Sequence, residues 1–249
     1  MQQPVIIITG AGRGIGAATA KLAAAKGYAV CVNYLHNQSS AQRVVEDIIR
    51  GGGKALAVAA DVAIEADVLR LFKTATEQLG SVTALVNNAG ILETQMRVDQ
   101  MEIARLQRVF NTNIIGSFIC AREAIKCMST RLGGNGGAIV NLSSIAAQLG
   151  APNEYVDYAA SKGAIDAMTI GLAKEVADQG IRVNAVRPGV IYTDIHASGG
   201  EAGRVDRVKA TVPMQRGGTA DEVAQAIMWL LSTEASYVTG TFIDVSGGR

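Results

Sequence analysis

The chain of 249 residues is poor in aromatic side chains (4%), in proline (4), in cysteine (3) and in histidine (2). It carries almost no excess of charge, with 23 Lys and Arg against 22 Asp and Glu. Without a basic block or stripe there is no electrostatic footprint for a polyanion, so nucleic acid is not expected as a partner. His36 and His196 alone cannot build a histidine-rich metal centre, and they support a Ser-His-Asp triad poorly. Cys31, Cys120 and Cys127 are odd in number, widely spaced and set in apolar stretches with no Cys-x-x-Cys. They read as buried, reduced thiols and not as a metal site. The apolar stretch 5–8 is too short for an export signal or a membrane span, and no basic region precedes it. A soluble cytoplasmic protein with no membrane partner is expected.

Hydrophobic residues are plentiful, at 49%, enough for the core of one α/β domain spanning 1–249. Runs rich in β-branched and apolar residues recur at 5–9, 29–33, 55–60, 84–87, 138–142, 182–186 and 241–245. They are continuous instead of alternating, as in parallel strands covered on both faces. Amphipathic segments lie between them at 14–26, 39–50, 65–79, 99–128, 155–178 and 220–231. The alternation predicts right-handed βαβ units in a doubly wound, parallel seven-stranded sheet with helices on both faces. The stretch 194–218 has no clear strand or buried-helix character. Because it follows the sixth strand, beyond whose carboxyl end ligands sit in open α/β sheets, it is a candidate substrate lid.

Directly after the first strand comes Thr9-Gly10-Ala11-Gly12-Arg13-Gly14-Ile15-Gly16. Glycines here permit a tight turn, close approach of backbone to a pyrophosphate, and a helix N-terminus aimed at the anion. The spacing Gly-x-Gly-x-x-Gly/Ala is met by Gly12, Gly14 and Ala17, but Thr-Gly-x-x-x-Gly-x-Gly on Gly10, Gly14 and Gly16 fits better. At the end of the second strand, Cys31-Val32-Asn33-Tyr34-Leu35-His36-Asn37 offers no carboxylate to a ribose 2′-hydroxyl. Arg13, with Asn33, Asn37 and Ser39 nearby, could meet a 2′-phosphate instead, which favours NADP(H) over NAD(H). The plain alternative for Arg13 is a solvated loop residue.

Tyr158-Ala159-Ala160-Ser161-Lys162 opens a helical stretch, and a spacing of four puts Tyr158 and Lys162 on one face. A phenol is a poor base at neutral pH unless a neighbouring cation stabilises its anion, and lowering its pKa by about 3 units needs roughly 4 kcal/mol. Upstream, the strand at 138–142 ends in Ser143-Ser144, where only one hydroxyl can face a cleft.

Glycine turn, Asp61-Val62, Asn87-Asn88-Ala89-Gly90, Asn113, Ser144, Tyr158, Lys162 and Pro188-Gly189 follow in one order across nearly the whole chain. In this the sequence resembles the short-chain dehydrogenase/reductase family. The resemblance implies a single-domain Rossmann fold and a nicotinamide-dependent oxidoreductase acting on a small-molecule carbonyl or alcohol, with no metal. It implies catalytic roles for Asn113, Ser144, Tyr158 and Lys162. Ser144 would bond the substrate oxygen, Tyr158 would transfer the proton, Lys162 would hold the ribose and lower the tyrosine pKa, and Asn113 would hold a relay water. Cofactor contacts are implied for Gly10, Gly12, Arg13, Gly14, Ile15, Gly16, Asn33, Tyr34 and Asn37. They are implied further along for Asp61, Val62, Asn88, Ala89, Gly90, Tyr158, Lys162, Pro188, Gly189, Val190, Ile191 and Thr193. Structural alternatives remain open: Asn87 and Asn88 could bridge strands, Asp61 could cap a helix and Thr193 could sit in a turn.

One departure is the separation of Ser144 and Tyr158, one residue longer than in many family members, with the extra residue near Pro152-Asn153-Glu154. Sugar dehydrogenases of the family resemble the chain in that spacing and in the run Tyr-Ala-Ala-Ser-Lys-Gly, which tilts the substrate towards a sugar or polyol. Gln148, Asn153, Glu154 and His196 are candidate hydroxyl contacts, or else plain surface residues. A 3-oxoacyl thioester reductase is the nearest enzymatic alternative, with Arg122, Lys126 and Arg131 as a possible patch for an acidic carrier. A non-catalytic NADPH-binding redox sensor is the alternative of another class. Family resemblance also implies a homotetramer built through 99–128, 155–178 and 237–249, with Ile114, Ile115, Phe118, Ile165, Met168 and Ile170 as candidate contacts.

Overall fold

In the computed structural model, which describes residues 3–249, each β-branched run forms a strand. In chain order come β1 (Val5–Ile8), α1 (Gly14–Ala25), β2 (Ala29–Tyr34), α2 (Gln38–Arg50), β3 (Lys54–Ala59), α3 (Glu65–Leu79) and β4 (Val82–Asn87). They are followed by α4 (Ile103–Phe110), α5 (Gly116–Met128), β5 (Gly137–Leu142), α6 (Ala146–Leu149), α7 (Val156–Glu175) and β6 (Ile181–Pro188). The chain ends through α8 (Ile195–Ser198), α9 (Arg204–Val208), α10 (Ala220–Leu231) and β7 (Phe242–Val245). Among the described residues the seven strands form one sheet in the order β3-β2-β1-β4-β5-β6-β7, every pair parallel. This is the doubly wound Rossmann arrangement, and the order reverses between β1 and β4, where a crevice opens at the carboxyl ends.

Alternation along each strand divides the core between two faces. Ile6 and Ile8 of β1 pack with Val44 and Ile48 of α2 and with Ile227 of α10. Val5 and Ile7 pack with Leu71 and Phe72 of α3 and with Cys120 of α5. A strand with both faces covered has no polar side to show, which is why the runs read as continuous hydrophobics. No helix among the described residues is long and apolar enough to cross a membrane.

Three expectations are corrected. The segment 99–128 is not one helix: α4 and α5 are joined by a wider π-turn over Asn111–Ile115, a form that often marks functional positions. The stretch 194–218 is more ordered than a bare lid, because α8 and α9 lie within it and Val205, Val208 and Val212 form a small buried cluster with Val190. Of the thiols, Cys31 and Cys120 are buried but Cys127 is only half-buried.

Candidate active site

The glycine turn is shaped by backbone conformation at two positions and by a close contact at a third. Gly10 and Gly14 take left-handed φ values of 62° and 55°, which glycine adopts without a Cβ penalty. A Cβ on Gly16 would lie 2.6 Å from Asn88 Nδ2 and 2.7 Å from the Gly10 carbonyl oxygen. Arg13 at the N-cap of α1 supplies no capping bond and no acidic side chain sits in the first turn. The first amides of α1 are therefore directed at the turn without a side-chain acceptor, a suitable setting for an anion. The neighbouring strand end secures the turn: the Asn88 amide donates to the Thr9 and Gly10 carbonyls at 2.7 and 3.1 Å, and Thr9 Oγ1 accepts from the Asn88 and Ala89 N–H groups. Asn88 therefore does bridge strands, and it also lines the crevice.

Asn33 lines the glycine-cradle cavity, but its amide is not free for a 2′-phosphate, because its Nδ2 donates to the Val58 and Ala60 carbonyls at 3.3 and 3.0 Å while its Oδ1 accepts from the Gly10 N–H at 3.1 Å. With its amide protons spent inside the sheet, it holds the turn. Asn37 caps α2 by accepting from the Ser40 N–H, and Asp61 accepts from the Ala63 N–H at 2.9 Å. Both still line the cavity of about 410 Å³ around Gly10, Gly12, Arg13, Tyr34 and Val62. The part of that wall from β2 to α2 contains Asn33, Tyr34, Leu35, His36, Asn37 and Ser40 and no carboxylate. Arg13 is exposed and donates to Ser198 Oγ in α8 at 3.3 Å.

A second cavity of about 400 Å³ adjoins the first, sharing Ile15, Asn88, Gly90, Thr193 and Ile195 with it. Ser144, Tyr158 and Lys162 all line it, as do Pro188, Gly189, Val190 and Ile191. Both serines reach the cavity, but their hydroxyls differ: Ser143 Oγ donates to the Lys162 carbonyl, whereas Ser144 Oγ accepts from the Ala146 N–H and bonds the Tyr158 hydroxyl. Lys162 is buried, its Nζ 5.5 Å from the centre of the Tyr158 ring and donating to the Leu142 carbonyl at 2.6 Å. Burial pushes the Lys162 ammonium down to about 8, with the Asp166 carboxylate opposing the fall. Burial pushes the Tyr158 phenol up to about 12, with the Ser144 hydroxyl opposing the rise. Asn113 is fully buried in the π-turn: its Oδ1 accepts from the Ile91 N–H, and its Nδ2 donates to the Ile91 carbonyl and to Ser161 Oγ. Its side chain thus anchors the loop after β4 to α7.

Two features were invisible in the sequence. Arg105 of α4 and Asp157, beside Tyr158 in α7, form a buried two-pronged ion pair at 2.8 and 3.2 Å, and Arg105 also donates to the Thr94 carbonyl. Glu154 is not a plain surface residue but pairs with Arg204 of α9 at the cavity edge. Partners 52 and 50 positions apart leave no local pattern. His196 lines the same cavity, its Nε2 3.0 Å from the Ile191 carbonyl oxygen. Gln148 and Asn153 do not line it.

A family model described as enoyl-(acyl carrier protein) reductase matches residues 10–249. The uncharacterised oxidoreductase YgfF of Escherichia coli (strain K12) is 58% identical over 98% of this chain and 99% of its own. Glucose 1-dehydrogenase 2 of Bacillus subtilis (strain 168) is 38% identical over 97% and 93%. A 3-oxoacyl-[acyl-carrier-protein] reductase of Synechocystis is 38% identical over 98% and 96%. Among solved structures, a dehydrogenase/reductase from Sinorhizobium meliloti 1021 superposes with a TM-score of 0.92 at 30% identity, covering 100% of this chain and 95% of that one.

Proposed function

The chain belongs to the short-chain dehydrogenase/reductase family of oxidoreductases, and from that premise we propose that it is a cytoplasmic, NADP(H)-preferring enzyme. Its reaction interconverts a carbonyl and a secondary alcohol on a sugar or polyol. The observation that carries the reading is that Ser144, Tyr158 and Lys162 line one cavity that joins the glycine cradle. A nicotinamide cofactor, when bound, supplies or accepts the hydride. Gly10, Gly12, Gly14, Ile15 and Gly16 would receive its pyrophosphate, Asp61 and Val62 its adenine side, and Asn88 to Gly90 with Pro188 to Thr193 its nicotinamide half. A turn that lines the cavity and admits no Cβ at Gly16 fits such a group.

The chain's own residues then manage one proton. Ser144 holds the substrate oxygen by its hydroxyl. A Tyr158 pKa raised to about 12 keeps the phenol protonated at neutral pH, ready to donate to that oxygen during reduction. In the oxidative direction Lys162, protonated below about 8, supplies the positive charge that stabilises the phenolate. The carboxylate-free wall from β2 to α2 and the nearby guanidinium of Arg13 support a 2′-phosphate in preference to a bare 2′-hydroxyl.

The acyl-carrier alternative is weakened at its proposed docking patch. Arg122 is paired with Glu65 and Glu123, Lys126 with Glu123, and Arg131 with Asp178, so the patch carries no net positive charge to attract an acidic partner. For a homotetramer, Ile115, Phe118 and Ile170 are exposed, at 48%, 46% and 41%, and can serve as contacts. Ile165 and Met168 are buried inside the protomer with Ala121 and are withdrawn from that role.

The test follows nicotinamide absorbance with NADPH and NADH against ketoses, short ketones and an acetoacetyl thioester, and with NADP+ and NAD+ against sugars and polyols. Tyr158→Phe should lower turnover at least about 100-fold with NADPH affinity retained, and Arg13→Ala should weaken NADPH relative to NADH. Undiminished turnover in Tyr158→Phe would remove the tyrosine from the mechanism. Tight NADPH binding with no turnover of any class would favour the sensor. A monomer mass by light scattering would refute the tetramer.

A further inference from the structure

Three segments surround the substrate cavity: the loop after β4, the loop between α6 and α7, and the α8–α9 segment. They are laced together at one place. Arg204 Nη1 and Nη2 donate to the two Glu154 carboxylate oxygens at 3.0 and 2.5 Å, and Arg207 grips Glu201 at 2.5 and 2.8 Å. Weaker cross-contacts at 3.5 Å, Arg204 to Glu201 and Arg207 to Glu154, join the two pairs into one cluster. Gln95 donates to Glu201 at 2.7 Å, and the Glu154 carbonyl accepts from the Met96 N–H at 3.0 Å, which ties in the third segment. Arg204 also lies over the Tyr155 ring, 5.0 Å from its centre.

The loop that presents Glu154 is unusual in its backbone. Gly150, Ala151 and Asn153 all have left-handed φ values, of 74°, 44° and 62°. Ala151 has no such freedom by nature, so the surroundings must hold it there. The strained turn delivers Glu154 to Arg204 and Tyr155 to the cavity wall.

Resting on the oxidoreductase reading above, we propose that the Glu154–Arg204 bridge is the specificity-determining closure of the substrate cavity, admitting compact, hydroxyl-bearing substrates and excluding chains that must extend past it. Both partners line the cavity, one on each of two segments, so a tail directed between those segments has to part them. Arg204 is only 11% exposed and its charge is already answered by Glu154. An anionic group can take that guanidinium only by leaving a carboxylate without its partner in a half-buried position. Within the cluster two carboxylates and two guanidiniums balance, so the bridge itself offers a substrate hydroxyl-compatible acceptors and donors and no free charge; Arg249, which also lines the cavity, stands outside the cluster.

The test compares parent, Arg204→Ala and Glu154→Gln in steady-state reduction of a series of 3-oxoacyl thioesters and methyl ketones of increasing chain length, and of compact hydroxyketones and sugars. NADPH affinity is measured in parallel by nucleotide fluorescence. Arg204→Ala should raise kcat/KM for the longest substrates relative to the compact ones at least tenfold, mainly through KM, with NADPH affinity unchanged. Glu154→Gln, which keeps the side-chain shape, should give a smaller change in the same direction. Parallel length profiles in the parent and a folded variant overturn the proposal; if Arg204→Ala does not fold, Glu154→Gln decides. Should no sugar or polyol be turned over while the length profile still shifts, the closure stands and the sugar reading falls.

Discussion

Lys162 should make the empty protein less stable at neutral pH than at alkaline pH, the reverse of ordinary base denaturation. Its side chain is buried, and burial lowers its pKa from 10.5 to about 8. A lysine depressed in the folded state holds its proton less tightly there than in the unfolded chain. Folding therefore costs free energy wherever the ammonium is charged in both states, and that cost is relieved as pH rises from about 8 towards 10.5. One pH unit is worth about 1.4 kcal/mol inside that window. Allowing for partial titration at its lower edge, the relief between pH 7.5 and 9.5 is about 2 kcal/mol. Tyr158 works in the opposite sense: with its pKa raised from 10 to about 12, stability is lost only above about pH 10, outside the interval. The assay is urea unfolding of cofactor-free protein, followed by fluorescence of Trp229, the one tryptophan in the chain. It is run at both pH values on the parent and on Lys162→Met, so that other titrating groups cancel. The parent should gain about 2 kcal/mol relative to the variant at the higher pH. A difference that does not change with pH would mean that the ammonium is not desolvated, and the account of the site would fail.

Other outcomes follow from single contacts. Asp157→Ala leaves the Arg105 guanidinium buried without its partner and should cost about 3–5 kcal/mol in the same unfolding assay. The double replacement Arg105→Met with Asp157→Leu should cost clearly less, and additive losses would contradict the pairing. Gly16→Ala forces a Cβ to within 2.6 Å of Asn88 Nδ2. It should reduce nucleotide affinity at least tenfold, read by titration of NADPH fluorescence, while costing about 1–3 kcal/mol of stability. Cys31 and Cys120 are pushed up to about 12 by burial and Cys127 is raised as well. All three should resist alkylation at pH 7 until the protein unfolds, and rapid modification of native protein would show a thiol more accessible than described.

The strands and most helices were legible because their signals are local. Continuous β-branched runs mark buried parallel strands, and both Glu65–Leu79 and Ala220–Leu231 begin and end where the amphipathic pattern does. The glycine turn and the Tyr158–Lys162 spacing were legible for the same reason, since backbone freedom and helical periodicity act over a few residues. The π-turn at Asn111–Ile115 was not, because a single widened turn changes no pattern long enough to detect. Packing also settled questions of direction. Ser143 and Ser144 are equivalent as a sequence, but the position of α7 engages the Ser143 hydroxyl with the Lys162 carbonyl and leaves that of Ser144 beside Tyr158. Asn33 could have faced a phosphate, but the neighbouring β3 offered it two carbonyls. The Arg105–Asp157 and Glu154–Arg204 pairs arose in the tertiary structure alone. A charge chooses its partner by distance in space, and these partners meet only after the sheet has brought segments some 50 positions apart to one edge.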